Sequence, residues 1–238
     1  MKIGLISINM HTKSLNFACP IHSWAFQRFL QMHGIESKVI DYTPNYNDDF
    51  PAREPASYYE KKYNELLEKE PQTEEGIRDR EIKLRQYKFK WEGYAALHDE
   101  RCERFDKFED FVQTYYDKTD EAYDEVKLDL VDSGFDCYIC VTDVIWSCDE
   151  YWGFDRGFLL DCKTMENKWK ISYAASRGVP KSIPKYEEEY FARAVSDIDF
   201  ISVREKSLEA YVHSLLPEKQ VTTVIDPVLL LPVEEYEN

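Results

Sequence analysis

Apolar positions along this chain recur with two periods that alternate from one end to the other. Short apolar runs, each long enough for one buried strand, fall at residues 2–8, 36–42, 135–142, 170–175, 200–203 and 221–225. Between several of them the apolar spacing lengthens to three and four, the mark of an amphipathic helix. Residues 21–32 carry Trp24, Phe26, Phe29 and Leu30, and Gly34 supplies a C-terminal stop. Residues 185–194 carry Tyr186, Tyr190 and Phe191, and the helix after the 200–203 run carries Leu208, Tyr211, Val212, Leu215 and Leu216. Strand alternating with helix predicts an α/β fold, a Rossmann-like parallel sheet with flanking helices. There is no G-x-G-x-x-G and the whole chain has eight glycines, so a dinucleotide cradle is not indicated.

One stretch breaks the alternation. From about residue 45 to residue 130 charges are dense, glycine is scarce and aromatic residues recur. Residues 58–69 predict one helix, stopped near Pro71. Residues 73–116 predict one long helix or two, with Ile77, Leu84, Tyr87, Trp91, Tyr94, Leu97, Phe105, Phe108 and Phe111 near helical spacing. The simplest reading is a long helical insertion that packs its aromatic stripe on a partner helix or on the sheet.

Candidate chemistry gathers where strands end. Ser202 and Glu205 have capping-box spacing, which predicts a helix starting at Val203 with Arg204 in its first turn. A cation beside the positive end of a helix costs about 0.3–1 kcal/mol, and an anion held between the guanidinium and the free backbone N–H groups would offset it. Ser7 with the Asn16 loop, Asp143, Ser176 with Arg177, and Ser202 with Arg204 all follow predicted strands. In an open α/β sheet that edge is where ligands bind.

Charge and cysteine content narrow the classes. The formal net charge is −16, which argues against nucleic acid and anionic membrane as partners, since both need basic surface. No apolar run approaches a transmembrane length and the first residues form a strand rather than a signal peptide, so the expected location is cytoplasmic. Of six cysteines, Cys137 and Cys140 form a C-x-x-C within a strand, where alternation sends them to opposite faces. Cys19, Cys102, Cys148 and Cys162 show no ligand spacing and the five histidines are scattered, so neither a metal nor a resident cofactor is expected.

Five segments, in order, resemble the polysaccharide pyruvyl transferases. Asn16-Phe17-Ala18 through Trp24-Ala25-Phe26-Gln27 is similar to that family's Asn-Tyr-Gly opening and first helix; Thr142-Asp143-Val144-Ile145-Trp146 to its Ser-Asp-x-x-Trp; Lys170-Ile171-Ser172-Tyr173-Ala174-Ala175-Ser176 to its Lys-Ile-Ser-Tyr-Ala-Ala-Ser. Ile201-Ser202-Val203-Arg204-Glu205 resembles its Ile-Ser-Val-Arg-Glu and Asp226-Pro227-Val228-Leu229-Leu230-Leu231 its Asp-Pro-Thr-Leu-Leu-Leu. Two departures stand out: Ala18 replaces the glycine after Asn-Tyr, and Val141-Thr142 replaces a Gly-Ser before the aspartate.

The resemblance implies two Rossmann-like domains facing across a cleft, of which residues 1–238 are the N-terminal one with its insertion at about 45–130, one half of a GT-B-like fold. The second domain would follow Leu231 and carry the family's catalytic histidine and second arginine, so no catalytic residue is assigned here. Its absence implies a chain cut at the interdomain linker or a natural half, inactive alone and completed by a partner half. The implied reaction moves the enolpyruvyl group of phosphoenolpyruvate, a co-substrate rather than a cofactor, onto two hydroxyls of a saccharide or lipid-linked saccharide acceptor for cell-surface polysaccharide. Arg204 would hold phosphoenolpyruvate, and Asn16, Asp143 and Ser176 would line the cleft. The alternatives are a non-catalytic half that docks partners through its insertion, and half of a GT-B-type glycosyltransferase.

Overall fold

A computed structural model describes residues 1–8, 15–45, 50–179 and 182–237. Parts of the predicted 9–20 loop and of the insertion, at 9–14 and 46–49, lie outside the described residues. The chain divides into two compact units: residues 1–11, 16–47 and 111–238, and residues 12–15 with 48–110.

The first unit holds a sheet of seven strands: β1 (Ile3–Ser7), β2 (Ser37–Tyr42), β3 (Lys118–Tyr123), β4 (Cys137–Asp143), β5 (Trp169–Ala175), β6 (Phe200–Val203) and β7 (Val221–Thr223). Their order is β3-β2-β1-β4-β5-β6-β7, and every neighbouring pair is parallel. This is the doubly wound Rossmann order extended by one strand, and it reverses between β1 and β4. The stretch predicted as helical to residue 130 is corrected here. It returns to the sheet as the edge strand β3 and a short helix α5 (Glu125–Leu130), whose first turn is capped by Asp124 accepting from the Lys127 N–H at 2.7 Å.

Alternation along the strands builds two apolar layers. Ile3, Leu5, Val39, Cys137, Ile139 and Val141 pack with Phe26 and Leu30 of α1 (Ala18–Met32) on one face. Ile6, Ile40, Tyr42, Tyr138 and Cys140 pack on the other, with Phe191 of α6 (Lys185–Ser196) and Leu208 and Val212 of α7 (Lys206–Leu215). Cys137 and Cys140 therefore lie on opposite faces, as alternation predicts, and both are buried free thiols. The β4–β5 connection is mostly irregular and buries Trp146, Phe158, Leu159 and Leu160. Within it Gly157 leaves no room for a side chain, since an added Cβ would stand 2.4 Å from Tyr42 Cζ. Tyr42 is held in turn by its hydroxyl donating to Asp155 at 2.6 Å. The tail beyond β7 forms 3-10 turns at Pro227–Leu229 and Val233–Tyr236, and Glu235 pairs with Arg28 of α1 at 2.6 Å.

The second unit is built on α2 (Ala56–Leu67), α3 (Glu74–Ala96) and most of α4 (His98–Tyr115). The predicted 73–116 segment is thus two helices, broken at Leu97. Thr73 caps α3 by accepting from the Gly76 N–H. Arg80 of α3 donates to the carbonyls of Leu66 and Leu67, closing the free end of α2. The aromatic stripe packs helix on helix: Tyr59 stacks on Tyr94 with centroids 5.6 Å apart, and Tyr63 meets Trp91 at 6.0 Å. Among the described residues no helix is long and apolar enough to cross a membrane.

Candidate functional site

The predicted start of the last helix does not hold. Ser202 is not a cap; it lies inside β6, and α7 begins at Lys206 with Glu205 as its N-cap. The reason is a competing partner. The Ser202 hydroxyl donates to the Ser172 carbonyl at 2.8 Å and accepts from the Ala174 N–H at 3.3 Å, while the Ser172 hydroxyl accepts from the Ser202 N–H at 3.1 Å. The two serines patch an irregularity where three residues of β5 advance against two of β6 and Ala174 takes a φ of 51°. Arg204 follows directly, its N–H donating to the Ala175 carbonyl at 2.9 Å. It thus stands at the carboxyl end of β6, outside the helix, and the dipole cost does not apply to it.

Three carboxylates surround the Arg204 guanidinium. Nη1 donates to Asp226 at 3.0 Å, Nε donates to Glu205 at 3.1 Å, and Nη2 lies 3.7 Å from Asp143, an ion pair too long for a hydrogen bond. Burial alone would lower the arginine's pKa; the bonds to Glu205 and Asp226 and the charge of Asp143 reverse this, and the net direction is upward. Asp226 is anchored by the Val228 N–H at 3.1 Å and lies 3.5 Å from His22 Nε2, whose Nδ1 is buried without a hydrogen-bond partner. Asp143 sits in a left-handed conformation, φ 63°, after Thr142 at φ 39°. That is a strained pair at the end of β4, since β-branched residues avoid positive φ. The Thr142 hydroxyl donates to the Ala174 carbonyl at 3.1 Å, tying this turn to the same irregular part of β5. The second oxygen of Asp143 faces the Cys19 thiol of α1 at 3.8 Å. Burial first, then the aspartate's charge, push that thiol up to about 12.

The structure thus brings Arg204 and Asp143 together over the carboxyl ends of β6 and β4, with Cys19 and His22 of α1 beside the point where the strand order reverses. Ser176 is fully buried and joins this edge through its backbone: its N–H donates to the Asp143 carbonyl at 2.9 Å, while its hydroxyl accepts from the Gly178 N–H at 3.0 Å. The Asn16 side chain accepts from the Ala18 N–H at 3.2 Å and so organises the first turn of α1. Cys19, His22, Glu205 and Asp226 complete the cluster; none was expected as a site residue, and Glu205 was read as half of a capping box. Asp226 carried a signal, since it stops β7 and opens the Asp-Pro segment.

A family model for polysaccharide pyruvyl transferases matches residues 21–237, nearly the whole chain. The chain belongs to the polysaccharide pyruvyl transferase family. No curated protein and no solved structure matches it. Within this chain the electrostatics of the edge are one guanidinium against three carboxylates. Negative charge is in excess around the guanidinium, and two of its five N–H groups make the carboxylate hydrogen bonds. Asp143 is the partner held most loosely.

Proposed function

We propose that this chain transfers the enolpyruvyl group of phosphoenolpyruvate to a pair of hydroxyls on a saccharide acceptor, and that it contributes the wall that holds the donor. Family membership supports the reaction class, and one observation carries the assignment of residues: Arg204 stands at the carboxyl edge with two short carboxylate bonds and one long contact. The donor's carboxylate replaces Asp143 at Nη2, making a hydrogen bond where there is now only a 3.7 Å pair. Asp143, released, accepts the hydrogen of an acceptor hydroxyl. Asn16 and Ser176 hold the backbone on either side of this exchange.

The balance of the reaction is simple. The enol CH2 carbon gains a proton, and the neighbouring carbon forms a bond to one sugar oxygen. The bond to the phosphate oxygen then breaks, and a second sugar oxygen closes the ketal. The two hydroxyl protons balance the new methyl group and the released phosphate. Positive charge at the reacting carbon is stabilised by nearby carboxylates, and the departing phosphate by cations. In this reading a second Rossmann-like domain or partner half supplies the opposite wall.

Calorimetric titration with phosphoenolpyruvate tests it. Arg204→Lys keeps the charge and loses the fork, and should weaken binding at least tenfold with an unchanged circular dichroism spectrum. Equal affinity of the two proteins, or no binding by the wild type, would overturn the assignment.

A further inference from the structure

The second unit carries a cluster that pyruvyl transfer does not use. The Glu54 carboxylate, the His98 imidazole and the Cys102 thiol offer ligand atoms that all lie within 4.8 Å of one another. We propose that these three residues form a binding site for a thiophilic divalent cation, zinc foremost.

The geometry comes from the helix. His98 and Cys102 are four residues apart on α4 and so share one face, one turn apart. The sequence alone shows no ligand spacing around Cys102; the fold places Glu54 and His98 beside it. Nε2 of His98 stands 3.7 Å from Sγ of Cys102. Around zinc, with bonds of about 2.3 Å to sulfur and about 2.0–2.1 Å to nitrogen, a tetrahedral angle places such a pair about 3.5–3.6 Å apart. The two side chains are therefore within about 0.2 Å of the bite a zinc ion needs. Glu54 brings a third, hard ligand from the segment ahead of α2, and a water would fill the fourth position.

Neighbouring groups orient the ligands. Arg53 donates to Glu54 Oε1 at 2.8 Å, the kind of outer bond that sets a coordinating carboxylate. The charge of Arg53 does not oppose the ion unbalanced, because the same guanidinium is forked onto Asp106 at 3.0 and 3.1 Å. Cys102 is buried while Glu54 and His98 are exposed, which gives a sheltered sulfur and an open path for the ion. Coordination replaces the thiol proton, which leaves to water, and the present weak contact of Cys102 Sγ with the Arg53 carbonyl at 3.9 Å is given up. The bound ion would tie the segment before α2 to the start of α4, just past the break at Leu97.

Cobalt(II) titration of the reduced, metal-stripped chain tests the proposal. The expected result is one cobalt per chain, with tetrahedral visible bands and a thiolate-to-cobalt charge-transfer band, both removed by one equivalent of zinc. Cys102→Ser should abolish the charge-transfer band and weaken binding at least tenfold; Cys148→Ser should leave both intact. His98→Ala is the second variant, expected to weaken binding similarly while keeping the sulfur band at high cobalt. Absence of a charge-transfer band in the wild type, or its survival in Cys102→Ser, would overturn the site. If Cys102→Ser fails to fold, unaltered cobalt affinity in His98→Ala would do the same.

Discussion

Replacing Ser202 by alanine removes one hydroxyl and unfastens the step that sets Arg204 in place. In the folded chain that hydroxyl makes two bonds, to the Ser172 carbonyl at 2.8 Å and from the Ala174 N–H at 3.3 Å. Ser172 and Ala174 are both buried, at 1% and 0% exposure, so their backbone groups have little access to water. A buried backbone group left without its partner costs about 1–3 kcal/mol. The 3.3 Å bond is long and the 2.8 Å bond is good, which places the expected loss near 2 kcal/mol. At about 2–4 °C per kcal/mol for a chain of this size, that corresponds to roughly 4–8 °C in melting temperature. Urea unfolding is the sharper assay: the midpoint should fall while the m value stays constant, because the surface exposed on unfolding is unchanged. Ser214→Ala, whose hydroxyl donates to the Tyr211 carbonyl on the exposed side of α7, should stay within about 0.5 kcal/mol. The Ser172→Ala, Ser202→Ala double variant should lose less than the sum of the singles, since the two side chains serve one feature. A Ser202→Ala midpoint equal to wild type, or strict additivity in the double variant, would refute the account of how this edge is held.

Further outcomes follow from other contacts. Asp143→Asn should tighten phosphoenolpyruvate binding severalfold, because the carboxylate competing for Arg204 loses its charge; calorimetry giving weaker binding would contradict the exchange. Gly157→Ala should cost about 1–3 kcal/mol through the clash with the Tyr42 ring, whereas Gly93→Ala, with open space around it in α3, should stabilise by about 0.5–1 kcal/mol; equal melting temperatures for the pair would count against the packing. Asp129 is held below the usual carboxylate range, first by its hydrogen bonds from Arg156 at 2.8 and 2.9 Å. Its contribution is present above the unfolded-state pKa and is lost as pH falls through the lower folded value. The stability gap between wild type and Asp129→Asn in urea should therefore be widest at neutral pH and close as pH falls through the lowered folded-state value; a pH-independent gap would be the wrong outcome.

Much of the fold could be read from local pattern, and the parts that could not have physical causes. Apolar runs marked six of the seven strands. The seventh, β3, reads Lys-Thr-Asp-Glu-Ala-Tyr because it is an edge strand with Asp120, Glu121 and Ala122 exposed. Its charges made it look like more of the insertion. The start of α7 was misplaced because Ser202 satisfies a bulged neighbour strand instead of a helix end, a partnership thirty residues away in sequence. Arg204 and Asp143 were legible as polar residues ending strands. Their encirclement was not: Cys19, His22 and Asp226 come from α1 and from beyond β7, and only the folded sheet lays those elements side by side. The aromatic stripe was legible as helix packing, and Tyr59 on Tyr94 is that packing. The spacing of His98 and Cys102 was present in the letters but meaningful only once α4 was seen to begin at His98.

The central claim is that Arg204 trades the Asp143 carboxylate for a donor anion at the carboxyl edge of the sheet. A crystal of the chain soaked with phosphoenolpyruvate tests this directly. The account predicts density for the donor with its carboxylate in hydrogen-bond range of Arg204 Nη2 and Asp143 moved beyond 4 Å. Donor density elsewhere, or none at saturating concentration with Asp143 still beside the guanidinium, would contradict it.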